Sequence, residues 1–142
     1  MSARPPSAPE DEEALIAAAA AARRHARAPY SQYAVGAALK TASGKIYTGC
    51  NIENASFGLT MCAERVALFK AISEGETAFA CIAVAVGGDR PATPCGPCRQ
   101  LLWEFCGDIP VTLAAGSGAR RRLSVSQLLP APFDDDNLAA GD

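Results

Sequence analysis

Three cysteines set the tightest limit on how this chain can fold. Cys95-Gly96-Pro97-Cys98 is a C-x-x-C at the start of one helix pattern, and Cys62 opens another, with Glu64 two residues on. A helix start offers free N–H groups and the positive end of the peptide dipole, and both favour the thiolate that binds metal. Between Cys62 and Cys95 the sequence reads helix, strand, turn. Such a unit returns the chain to the same edge of a sheet. The two helix starts are therefore expected side by side, with the three sulfurs converging. A C-x-x-C alone is open to metal, a redox pair or inert thiols; the third cysteine moves the balance to metal.

The surrounding pattern supplies that frame. Residues 11–28 carry acids first and bases last, which suits a helix dipole, and Pro29 stops the helix. Residues 33–40 and 45–50 flank Ser43-Gly44 and predict a β-hairpin; residues 51–60 read as a loop. A helix over 62–73, a strand over 80–86, a helix from Pro97 to Cys106 and a strand over 109–114 follow. Residues 116–122 fit a hairpin, and Ser124 caps a short terminal helix. Strands alternating with helices imply parallel pairing, and the first hairpin an antiparallel edge. The fold class is α/β, a mixed sheet with helices on both faces. Residues 1–10, with Pro5, Pro6 and Pro9, read as a disordered leader, 11–133 as one domain and 134–142 as a polar tail.

Composition narrows the function classes. The 142 residues are 49% hydrophobic and 20% charged with net charge −2, enough for a real core and too acidic for a basic nucleic-acid face. Arg120-Arg121-Arg122 is too short a run to argue otherwise and reads as a solvated turn or an intersubunit ion-pair face. No apolar stretch reaches the roughly 18 residues of a membrane span, and acids stand where a secretory signal needs bases. The expected compartment is the cytoplasm, where six cysteines are thiols or ligands rather than disulfides.

Three protein ligands leave a fourth tetrahedral position to water, the mark of a catalytic zinc site rather than a structural one. No fourth ligand stands out: Cys50, Cys81 and Cys106 read as core thiols and His25 as a helix-surface residue. Glu64 beside such a site can move a proton between water and a leaving amine. Three thiolates and Zn²⁺ sum to −1, which opposes acidification of bound water; Arg65 donating to the sulfurs would offset it.

Cys62-Ala63-Glu64-Arg65 with Pro94-Cys95-Gly96-Pro97-Cys98-Arg99-Gln100 resembles the zinc nucleoside and nucleotide deaminases. Pro29-Tyr30-Ser31, residues 35–39 and 49–58 narrow the resemblance to small homotetrameric cytidine deaminases, over roughly 14–133. The resemblance implies a three-layer α-β-α sandwich around a mostly five-stranded mixed sheet. It implies one zinc per subunit on Cys62, Cys95 and Cys98, with Glu64 as proton shuttle and hydrolysis of cytidine and deoxycytidine as the reaction. It assigns the ribose hydroxyls to Asn51 and Glu53. Tyr33 stands where the family usually has Phe against the pyrimidine, and Phe57 where it often has Tyr. Ala55, Phe57 and Phe133 are expected to reach a neighbouring subunit's site. The partners implied are a pyrimidine nucleoside and copies of the chain, with no nucleic acid and no membrane. Competing readings are deamination of a cytosine-containing antibiotic such as blasticidin S, an editing deaminase, a structural zinc or interaction module, and a thioredoxin-like redox protein.

Overall fold

In the computed structural model residue 9 and residues 11–141 are described; the leader expected over 1–10 lies, Pro9 apart, outside them. The expected hairpin forms from β1 (Val35–Thr41) and β2 (Ile46–Cys50), turning at Gly44, whose φ of 97° is left-handed. The sheet runs β2-β1-β3-β4-β5. β3 (Phe79–Val86) pairs antiparallel with β1 and parallel with β4 (Pro110–Ala114); β5 (Arg120–Ser124) returns antiparallel along β4. Pro110, which lacks a ladder donor, is the first residue of its strand.

β1 and β3 are covered on both faces, so they read as apolar runs rather than alternating ones. On one face α1 (Glu12–Arg23) buries Leu15 and Ala19 against Ala38, Cys81, Ala83 and Ala85. On the other, α2 (Ala63–Ser73), α3 (Gly96–Cys106) and the one-turn α4 (Val125–Leu128) enclose Leu39, Ile82, Val84, Val111 and Leu113 with Leu68, Leu102 and Val125. These are the three layers expected. α4 begins at Ser124 with the anticipated cap, reinforced by Gln127 reaching back to the Ser124 N–H. At Gly49 a Cβ would lie 2.4 Å from the Ala63 carbonyl oxygen, so the first turn of α2 rests on β2 backbone.

Three expectations are corrected. α1 ends at Arg23, not at residue 28. The Arg27 main chain instead pairs with the segment after β2, donating to Asn51 O at 3.0 Å and accepting from Glu53 N at 2.8 Å; tertiary pairing overrides local helix preference. Arg120-Arg121-Arg122 is not a turn but lies in β5, and two of its side chains pair within the chain. Arg122 grips the buried Glu12 carboxylate from Nε and Nη2, both at 2.6 Å, Thr112 adds a bond at 3.0 Å, and Arg120 pairs with Glu13. The tail is not merely polar chain: α5 (Asp135–Ala140) starts at Asp134, whose side chain caps the Asn137 N–H and accepts from Trp103 Nε1 at 2.9 Å. Among the described residues no helix is long and apolar enough to cross a membrane.

Candidate active site

The crossover through α3 and the chain leaving β2 into α2 bring two helix starts together at one end of the sheet. Cys62 is the N-cap of α2 and Cys95 the N-cap of α3, both with extended backbone, and Cys98 lies in α3's first turn. The Cys62 and Cys95 sulfurs are 3.6 Å apart, those of Cys95 and Cys98 3.4 Å, and all three fall within 4.8 Å of one another. Tetrahedral zinc with Zn–S bonds of about 2.3 Å spaces its sulfurs roughly 3.8 Å apart, so the trio fits that ion with a small expansion. A disulfide needs about 2.05 Å, and all six cysteines are free. Among the described residues no fourth side chain joins the trio. Cys81 is buried and Cys50 and Cys106 are half-buried, away from it; burial pushes the Cys106 thiol up to about 12. His25 is exposed.

The cluster is electrostatically polarised even as thiols. The hydrogen bond from Cys98 is the largest influence holding the Cys62 thiol down, to about 5, and outweighs burial; Arg65 and Cys95 add to it. The same bond, with burial, pushes Cys98 up. Arg65 Nη2 donates to Cys62 Sγ at 3.1 Å, while its Nε is buried without a hydrogen-bond partner. Glu64, 5% exposed in the first turn of α2, has its pKa raised, foremost by burial and then by the charge on Cys62. Arg99 holds the approach to the C-x-x-C: it donates to Pro94 O at 2.7 Å, Leu128 O at 2.8 Å and Thr93 Oγ1 at 2.9 Å.

Cys62, Glu64 and Cys95 line a cavity of about 300 Å³ whose other side includes Tyr33, Asn51 and Glu53. Glu53 Oε1 accepts from the main-chain N–H of Tyr30 at 2.9 Å and Ser31 at 3.1 Å, and Oε2 from the Ser31 hydroxyl. These bonds, the hydroxyl's first, hold its carboxyl below the ordinary range. Asn51 accepts from Val35 N at 2.9 Å and donates to Tyr33 O at 2.7 Å. Thus Tyr33, Asn51, Glu53, Glu64, Cys62 and Cys95 share one cavity. Phe57, Ala55 and Phe133 do not line it. Phe57 is 71% exposed, edge-on to Tyr30 at 5.3 Å, and Phe133 is 63% exposed with its carbonyl taken by Gln100. Sequence reasoning gave no role to Ser31, Thr60, Met61, Ala92 or Thr93, which also line the cavity. Of these only Ser31 had a visible signal, lying in the Pro29-Tyr30-Ser31 segment.

Residues 9–113 match the family model for the zinc-binding region of cytidine and deoxycytidylate deaminases. The chain belongs to the cytidine and deoxycytidylate deaminase family. Cytidine deaminase of Sporosarcina psychrophila is 46% identical over 118 residues, 82% of this chain and 87% of the relative. That of Halalkalibacterium halodurans is 48% identical over 117 residues, 82% and 89% of the two chains. The crystal structure of cytidine deaminase from Burkholderia pseudomallei superposes with TM-score 0.83 at 49% identity, covering 85% of this chain and 98% of that one. Blasticidin-S deaminase of Bacillus cereus is more distant, 30% identical over 112 residues. The α/β fold and zinc-binding character of this family are those expected from the residues.

Proposed function

We propose that this chain hydrolyses the amino group of cytidine and deoxycytidine, giving uridine or deoxyuridine and ammonia, in pyrimidine salvage. The observation that carries the reading is a buried glutamate beside three convergent sulfurs, in one cavity with an amide and a carboxylate suited to a sugar. Cys62, Cys95 and Cys98 hold zinc, and zinc bound there supplies the Lewis acidity that makes water a nucleophile near neutral pH. Glu64 handles protons. It would accept one from water and place it on N3 of the pyrimidine as C4 is attacked, then take the second from the new C4 hydroxyl and deliver it to the amine, which leaves as ammonia. A carboxylate raised by burial is suited to both directions of transfer. Arg65 offsets the excess negative charge of the thiolates.

Asn51 and Glu53 hold the ribose hydroxyls, so that binding energy remote from C4 aligns it for attack. Tyr33 packs against the base. The exposed Ala55, Phe57 and Phe133 belong to a neighbouring subunit's site in a homotetramer, which explains why these side chains are solvent-facing in one chain. We place the enzyme in the cytoplasm and read residues 11–133 as its single catalytic domain. The net charge of −2 fits a free nucleoside better than a polynucleotide, and the higher identity to cytidine deaminases favours cytidine over blasticidin S. The decisive experiment follows the loss of cytidine absorbance with protein of measured zinc content, before and after chelation. Zinc-dependent turnover is expected; zinc-replete protein that leaves cytidine untouched overturns the reading.

A further inference from the structure

Glu53 and Tyr33 meet through one hydroxyl. Ser31 Oγ donates to Glu53 Oε2, and the same oxygen accepts from the Tyr33 main-chain N–H at 3.1 Å. A serine hydroxyl has one proton to give and lone pairs to receive, so both bonds form at once. Asn51 completes the circuit from the other side: its Nδ2 donates to Tyr33 O at 2.7 Å, while Val35 N–H fixes its Oδ1 at 2.9 Å. The Tyr33 residue is therefore tied at its N–H, through Ser31, to one proposed sugar ligand, and at its C=O directly to the other. Glu53 is anchored in turn: Oε1 is held by two main-chain N–H groups, and Oε2 by the Ser31 side chain. The main chain around Glu53 is also held, by Arg27 Nη1 on its carbonyl at 2.6 Å. In this network the Ser31 side chain is the link between Oε2 and the Tyr33 main chain. Ser31 also lines the cavity itself.

We propose that Ser31 is a positioning residue for sugar recognition, its hydroxyl locking the Glu53 carboxylate against the Tyr33 main chain. The inference rests on the nucleoside reading above and deepens it. Removing the hydroxyl frees Glu53 Oε2 to rotate and releases the Tyr33 N–H together. The metal ligands and Glu64 lie on other segments, so the loss falls on binding of the sugar rather than on proton transfer.

The test compares wild type, Ser31→Ala and Ser31→Thr on cytidine and on 2′,3′-dideoxycytidine, which lacks the hydroxyls Glu53 would hold. Ser31→Ala is expected to raise KM for cytidine about tenfold, with kcat within about twofold, the loss of one hydrogen bond to a charged group. KM for the dideoxynucleoside is expected to change less than about twofold, so discrimination between the two sugars shrinks. Ser31→Thr, which keeps the hydroxyl, restores most of the loss. In a Glu53→Ala background Ser31→Ala adds nothing further. Unchanged discrimination in Ser31→Ala overturns the proposal. So does an equal loss on both substrates, or a fall in zinc content, because each marks the hydroxyl as merely structural. A wild-type enzyme inactive on cytidine sinks the nucleoside reading itself, whereas an active wild type with an unaffected Ser31→Ala sinks only the role of Ser31.

Discussion

The Arg65 guanidinium donates to the Cys62 sulfur at 3.1 Å, one helical turn away, and keeps its own Nε buried and unpartnered beside the same cluster. A single side chain thus brings positive charge to a site whose ligands carry one more negative charge than their ion. Outer contacts of this kind tune a metal centre rather than hold it. Arg65→Gln is expected to fold normally and to lose about 10- to 100-fold in kcat or zinc affinity. Paired measurement of metal content and turnover separates the two. An Arg65→Gln enzyme with wild-type values of both would remove the charge argument.

Glu64 lies at the opposite extreme of function and stability. Burial raises its pKa, so ionising it costs the folded state free energy at any pH above the unfolded carboxylate value. Glu64→Gln keeps the shape without the charge. It should cut kcat about 10²- to 10⁴-fold while zinc content holds, and the metal-free variant should melt no lower than metal-free wild type at neutral pH. Calorimetry and the cytidine assay check the two halves. Full activity in this variant would take Glu64 out of the chemistry.

Gly49 fixes where the site is built. A Cβ there would meet Ala63 O at 2.4 Å and Ala67 N at 2.6 Å, both backbone atoms of the helix that Cys62 caps and Glu64 rides on. Gly49→Ala should therefore shift α2, costing at least about 1–3 kcal/mol of stability and lowering zinc occupancy as well. Gly44 provides the control. Nothing lies near it, and its left-handed backbone alone makes Gly44→Ala cost about 1 kcal/mol, with zinc retained. Denaturant melts with metal analysis distinguish them; equal zinc loss in both would contradict the packing account.

The metal trio was legible from sequence because each ligand sits at a helix start, where pattern and dipole coincide, and because helix–strand–turn connectivity forces those starts together. The hairpin and the buried strands were legible for similar local reasons. The end of α1 was not. Residues 24–28 look helical, and only the later chain from Asn51 to Glu53 supplies the pairing that unwinds them. The arginines of β5 misled because their partners, Glu12 and Glu13, stand over a hundred residues earlier. Ser31 was visible in the sequence, but its proposed role depends on a bond to Glu53, 22 residues further along the chain.

The Glu12–Arg122 contact sets an acid limit on stability. Arg122's paired hydrogen bonds lower the Glu12 pKa, outweighing burial, with Thr112 assisting. A depressed carboxylate contributes stability above its unfolded pKa and loses it as pH falls through the folded value. Glu12→Gln should therefore melt lower than wild type at neutral pH, and the gap should close as pH drops below about 4.5, the ordinary Glu value. A gap that persists unchanged in acid would mean the contact acts through shape alone.

Zinc uptake should reveal the uneven protonation of the trio. Metal-bound cysteines are thiolates, so a site of three neutral thiols would release three protons per ion. Here Cys62 is held down to about 5 by Cys98 and Arg65, whereas Cys98 is pushed up and keeps its proton. At neutral pH Cys62 is already ionised and contributes no proton, so the metal-free protein should release fewer than three on binding. Below about pH 5 Cys62 takes up its proton and the affinity should fall more steeply with pH, by one further proton. Titration calorimetry in buffers of different ionisation enthalpy counts these protons directly. Three released per zinc at pH 7 would show that Cys62 is an ordinary thiol before the metal arrives.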